Sequence, residues 1–183
     1  MSAWRQAGAL ISALGTVFAN LLHTDRSAPR VNLAAGDVAP DFVLTASDGR
    51  TYRLSELRGR VVVMAWFPKA FTAGCTSECR SLGMSRSALG VFDAAIFAAS
   101  CDTVAMNREF AASTAIDFPI LSDPDKSVAR AYGVLGPLGL PGRWTVYIGT
   151  DGRILTIDRD VRPRSHGDDI RVALARFGVP RRP

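Results

Sequence analysis

The chain has 183 residues, 48% hydrophobic and 21% charged, a balance that excludes a disordered segment and suffices for one domain with a real core. Its net charge of +5 rests on arginine, since Lys69 and Lys126 are the only lysines. The arginines are spread along the chain, and the C-terminal group from Arg159 to Arg182 has a single aromatic, Phe177, among them, so nucleic acid is not an expected partner. Cys75, Cys79 and Cys101 are too few for a disulfide scaffold, and no Cys/His spacing fits a zinc site, so no metal or other cofactor is expected.

Residues 1–35 are read as a segment apart from the folded domain, which is expected to occupy residues 36–183. Ala7 to Leu22 is apolar and follows Arg5, with Leu10, Leu14, Val17, Phe18 and Leu21 on one helical face. It is short for a membrane span. A signal peptide ending at Val17-Phe18-Ala19 and an amphipathic membrane anchor both fit, so export or membrane association through residues 7–22 is expected over a cytoplasmic location. Thr24 to Ala35 reads as a polar linker.

Phe42–Thr45 and Thr51–Leu54, joined through Asp48-Gly49, read as a β-hairpin. Arg60 to Trp66 is an apolar, β-branched run typical of a buried strand. Beyond it Leu82, Ser85, Leu89 and Phe92 fall at helical spacing, weakened by Gly83 and Gly90. Ala95–Ala99 is a second buried strand and Thr103–Ser113 a helix. A short strand at Asp117–Leu121 and a short helix at Lys126–Tyr132 follow. Leu135–Gly142 is a Gly/Pro loop, Trp144–Ile148 and Ile154–Asp158 a hairpin around Asp151-Gly152, and Asp168–Phe177 a closing helix. Alternating strands and helices predict an α/β layered fold.

Cys75 therefore stands where a strand hands over to a helix, and free N–H groups there favour a thiolate. Thr72 lies three residues before it and Cys79 four after, a set suited to oxidising and re-reducing sulfur. Two ordinary cysteines on the buried face of a core helix would show the same spacing.

Pro68-x-x-x-Thr72-x-x-Cys75 matches the signature of peroxiredoxins in full. Phe67-Pro68-Lys69 and Gly74-Cys75-Thr76 most resemble the bacterioferritin-comigratory, or peroxiredoxin Q, branch of the AhpC/TSA superfamily. Ala39-Pro40-Asp41-Phe42, Phe118 to Asp123, Ala131 to Val134 and Arg143-x-Thr145 follow in the family's order between about Gly36 and Asp158. The resemblance implies a thioredoxin-like fold: a central mixed β-sheet flanked by helices, with an N-terminal β-hairpin. It implies a thiol peroxidase acting on hydrogen peroxide and alkyl hydroperoxides, re-reduced by thioredoxin or a similar dithiol, and a monomer or weak dimer.

On the same resemblance Cys75 is the peroxidatic thiol, and Thr72 donates or relays a hydrogen bond between sulfur and peroxide. Pro68 shields the sulfur, Arg143 sets a fixed cation beside it, and Glu78 orients the arginine. Cys79 is the resolving candidate, although relatives place that cysteine five residues after the first. An i,i+4 pair sits about 6 Å apart between Cα atoms in the wrong direction for bonding, so closure requires the helix to unwind. Cys101 reads as a buried small apolar residue before a resolving one.

A Sco-type copper chaperone is the rival, since Cys-x-x-x-Cys on this fold with a distal histidine suits soft copper. However, His23 lies outside the fold and His166 reads as an exposed loop residue. A general thiol–disulfide oxidoreductase would carry Cys-x-x-Cys. A purely structural module would leave the Thr/Cys/Arg set unexplained.

Overall fold

The computed structural model describes residues 31–182. The expected signal or anchor segment lies outside them, and no helix among the described residues is long and apolar enough to cross a membrane.

Residues from Val31 onward belong to one compact unit, and those just ahead of Gly36 are tied into it. Leu33 lies against the core and its carbonyl accepts from Arg159, while Asp37 accepts the Ala34 N–H at 2.8 Å.

Strand β1 (Val43–Thr45) and β2 (Thr51–Arg53) pair as an antiparallel hairpin, turning at Gly49 with φ +82°. A 3-10 turn over Leu54–Leu57 leads into β3 (Val61–Trp66). Helix α1 (Ala73–Met84) and α2 (Arg86–Gly90) meet at Ser85, so the single periodicity seen in the sequence is split into two helices. There follow β4 (Ala94–Ser100), α3 (Val104–Thr114), β5 (Ile120–Ser122), α4 (Ser127–Ala131), β6 (Trp144–Ile148), β7 (Ile154–Asp158) and α5 (His166–Arg176).

The five-stranded sheet runs β5-β4-β3-β6-β7, with β3 parallel to β4, β4 parallel to β5, and the remaining pairs antiparallel. Every residue of β3 is buried, as a central strand covered on both faces requires. Alternation along it feeds two cores. Val61, Val63 and Ala65 join Phe67, Leu82, Phe110 and Ile170 on the face covered by α1, α3 and α5. Val62, Met64 and Trp66 join Phe42, Leu44, Tyr132 and Val134 on the other. Cys75 and Cys79 belong to the first core, whereas Cys101 packs against the second.

Candidate active site

The turn between β3 and α1 is held from the end of β4. Asp102, side chain 3% exposed, accepts from Lys69 Nζ at 2.7 Å and from the Ala70 N–H at 2.8 Å. Asp102 in turn takes its own N–H to Ser100 Oγ, which bonds Asn107, which bonds Ser122. Thus anchored, the chain passes through Phe71 in the left-handed region (φ +63°), strained for an aromatic residue, with its ring edge-on to Phe110 at 5.2 Å. Thr72 then opens α1 in an extended conformation, and its carbonyl accepts the Thr76 N–H.

The Thr72 hydroxyl does not cap the helix. It donates to the Lys69 carbonyl at 3.0 Å, so in this state it offers lone pairs rather than a proton. Pro68 is half-buried in the same turn. Cys75 lies in the first turn of α1 and is buried. Arg143 arrives from the loop ahead of β6 and donates from Nη2 to Cys75 Sγ at 3.3 Å, with its side chain 20% exposed. A Cβ on Gly74 would stand 3.1 Å from that nitrogen, so glycine there gives the guanidinium its room.

Glu78 is one turn further along α1 and its side chain is 1% exposed. Oε2 accepts from Arg143 Nη1. Oε1 faces His166 Nδ1 at 2.8 Å, both atoms sealed from solvent and out of line for a directed hydrogen bond. His166 Nε2 is 2.7 Å from the hydroxyl of Thr145, which is itself fully buried opposite Ala65 of β3.

His166 is thus not the exposed loop residue that the sequence predicts. It opens α5, is 1% exposed, and completes a chain from Cys75 through Arg143 and Glu78 to Thr145. A readable signal was present: His166, Ile170 and Leu174 recur at every fourth residue, and all three are buried. Burial holds the His166 imidazole well below its ordinary value, at about 4. Asp158 and Asp169 oppose that fall and Arg143 adds to it, while Glu78 is already engaged by the guanidinium.

The other two thiols differ from Cys75 in setting. Cys79 is buried on the same face of α1, and burial, with the Cys75 charge adding, pushes it up to about 12. Cys101 is half-buried, not fully buried as its strand end had implied. Desolvation and Asp123 push it up to about 11, and the sheet stands between it and Cys75.

The AhpC/TSA family model matches residues 35–157, a stretch that holds Cys75, Glu78, Cys79 and Arg143. The chain belongs to the AhpC/TSA family. Among similar AhpC/TSA proteins, peroxiredoxin Bcp of Escherichia coli K12 is 31% identical over 143 residues, 74% of this chain and 92% of the relative. The crystal structure of peroxidoxin BcpB from Mycobacterium tuberculosis superposes with a TM-score of 0.72 at 31% identity, covering 80% of this chain and 99% of that one. The bacterioferritin comigratory protein of Xanthomonas campestris gives 0.69 at 26% identity, over 74% and 91%. These likenesses bear out the thioredoxin-like peroxiredoxin fold and the expected branch of the AhpC/TSA family. His166 and all of α5 lie beyond the matched stretch.

The copper-chaperone alternative finds no support. It needs a histidine facing both thiols, whereas His166 has one ring nitrogen at Glu78 and the other at Thr145, and Arg143 sets a cation, not a ligand, against Cys75.

Proposed function

We propose that this protein is a thiol peroxidase that reduces hydrogen peroxide and alkyl hydroperoxides through Cys75. The observation that carries the reading is the Arg143 guanidinium donating to Cys75 Sγ at 3.3 Å while tied to Glu78. A cation in that place stabilises the negative charge that passes from sulfur to the leaving oxygen during attack. The Xanthomonas relative, described for its alkyl peroxide reduction activity, supports the same substrate class.

The thiolate attacks one peroxide oxygen, the O–O bond breaks, and Cys75 becomes a sulfenic acid. The second oxygen leaves with the bonding pair and takes a proton to become water or an alcohol. Arg143 stabilises the charge as it moves from sulfur to the leaving oxygen. Thr72, with its proton committed to Lys69, accepts a hydrogen bond from the incoming hydroperoxide, and Pro68 limits access of water to the sulfur.

Cys79 resolves the sulfenic acid, forming a Cys75–Cys79 disulfide and releasing water, and an external dithiol of the thioredoxin type restores both thiols. Burial keeps Cys79 protonated in the intact helix, so resolution proceeds from a form in which the start of α1 has unwound. Cys101, across the sheet, is the less suited partner.

The test is peroxide consumption by the purified chain with dithiothreitol as reductant. Cys75→Ser should abolish it. Unchanged turnover in that variant overturns the peroxidase reading.

A further inference from the structure

Glu78 is faced at both oxygens, Oε2 by the Arg143 guanidinium and Oε1 by the imidazole of His166. Oε2 accepts from Arg143, and Oε1 lies 2.8 Å from Nδ1 of His166 on α5, short but out of line for a directed hydrogen bond, so the imidazole bounds the carboxylate on the side away from the guanidinium. A carboxylate gripped at one oxygen only turns freely about its last torsion, and the guanidinium it carries turns with it. Because Arg143 gives Nη1 to Glu78 and Nη2 to Cys75, the orientation of the carboxylate sets the approach of Nη2 to the sulfur.

We propose that His166 is a positioning residue for the peroxidatic thiol: it fixes Glu78, and through Glu78 it holds Arg143 against Cys75. The proposal rests on the peroxidase reading for its purpose, and on the geometry alone for its effect on the sulfur.

Three further observations converge on it. The first is how His166 is placed. A Cβ on its neighbour Gly167 would lie 2.5 Å from the Ser81 carbonyl oxygen and 2.6 Å from Ser85 Cβ, and the Gly167 N–H donates to Ser81 Oγ at 3.1 Å. The start of α5 is therefore pressed backbone to backbone on α1, one turn past Glu78. Only glycine permits that approach.

The second is the protonation the surroundings dictate. The charged and polar groups around the ring are Glu78 and Ser81 on α1, Arg143 and Thr145 at β6, Asp158 on β7 and Asp169 on its own helix. Burial outweighs them and keeps the imidazole neutral at pH 7, with a single N–H. A carboxylate accepts only, whereas a threonine hydroxyl also donates. The tautomer that suits both neighbours has its N–H on Nδ1, on the Glu78 side, with Nε2 free to accept from Thr145 at 2.7 Å. The third is Thr145, which is fully buried and whose hydroxyl, among the described residues, bonds His166 alone.

The test reads Cys75 itself, by its rate of alkylation with iodoacetamide at pH 7 in a Cys79→Ser, Cys101→Ser background. His166→Asn keeps a donor near Nδ1 for Glu78, while His166→Gln keeps a nitrogen near Nε2 and gives up Glu78. The Gln variant should be slowed about tenfold and the Asn variant should stay within about twofold of the parent. Repeated on Arg143→Ala protein, the two substitutions should make no further difference, because the positioning acts through the guanidinium. Equal rates in the Asn and Gln variants overturn the proposal, whether both are fast, slowed alike or misfolded. A Gln effect that persists without Arg143 also overturns it. Since no peroxide enters the assay, failure of the peroxidase reading and failure of this one are seen separately.

Discussion

Arg143→Ala removes two things at once, and they can be separated. The guanidinium donates to Cys75 Sγ at 3.3 Å, and a hydrogen bond to a charged group contributes ~1.5–3 kcal/mol. Its loss should slow alkylation of Cys75 at neutral pH, and peroxide reduction with it, by about 10–150-fold. The same substitution strands Glu78, whose side chain is 1% exposed, and leaving one partner of a buried ion pair uncompensated costs ~3–5 kcal/mol. For a chain of this size that should lower the melting temperature by about 10 °C. Adding Glu78→Gln to Arg143→Ala removes the stranded charge and should restore most of the stability, yet it supplies no cation and should not restore reactivity. Thermal melts by circular dichroism, run beside iodoacetamide alkylation and peroxide consumption, resolve the two. If the double variant regains the rate along with the melting temperature, Arg143 acts on the fold and not on the sulfur.

Three other outcomes are expected. The unfolded chain protonates His166 near 6.5 while the folded one resists until about 4, so stability should fall as pH drops through that window. Between pH 7 and 4.5 the wild type should lose ~2–3 kcal/mol more than His166→Gln in urea titrations, and parallel curves would show that His166 is not held neutral. One equivalent of hydrogen peroxide should yield a Cys75–Cys79 bond by non-reducing peptide mass spectrometry, with faster amide exchange over residues 74–83. A Cys75–Cys101 bond in wild-type protein would move the resolving role across the sheet. Asp102→Ala should destabilise the turn before α1 by ~1–3 kcal/mol and slow peroxide reduction, with Asp102→Asn milder in both; a full rate in Asp102→Ala would show that the turn needs no anchor from β4.

The parts of the molecule written in short-range pattern could be read directly. The last hairpin falls at Trp144–Ile148 and Ile154–Asp158 as expected, because alternation and the Asp151-Gly152 turn are local signals. Cys75, Thr72 and Pro68 share one signature, and Arg143 was found through its neighbour Thr145. His166 was missed because its role depends on contacts with Glu78 and Thr145, far away in sequence and on other elements. Starting the closing helix at Asp168 instead of His166 also cut the histidine off from the stripe of Ile170 and Leu174. The anchoring of the turn by Asp102 was invisible for the same reason: a surface aspartate and one holding a remote N–H look alike in sequence. The split at Ser85 follows from tertiary packing. A Cβ on Gly83 would stand 3.1 Å from the Ala115 carbonyl oxygen, so α1 runs close against the chain after α3.

Cys75 stands one turn before the adjacent Glu78 and Cys79 on one helix, and this couples the chemistry of the sulfurs to the site that tunes them. Joining the two sulfurs draws the backbone between them out of its helical path, and Glu78 is part of that backbone. The carboxylate then leaves its seat between Arg143 and His166, and the guanidinium loses the partner that aims it. With resolution by Cys79 as proposed, the molecule would work as an interlock: the disulfide and the assembled Cys75–Arg143–Glu78 site are alternative uses of the same few residues. A reductant able to sense an unwound α1 and a released arginine would select spent molecules from a population of ready ones, without having to contact the sulfur first.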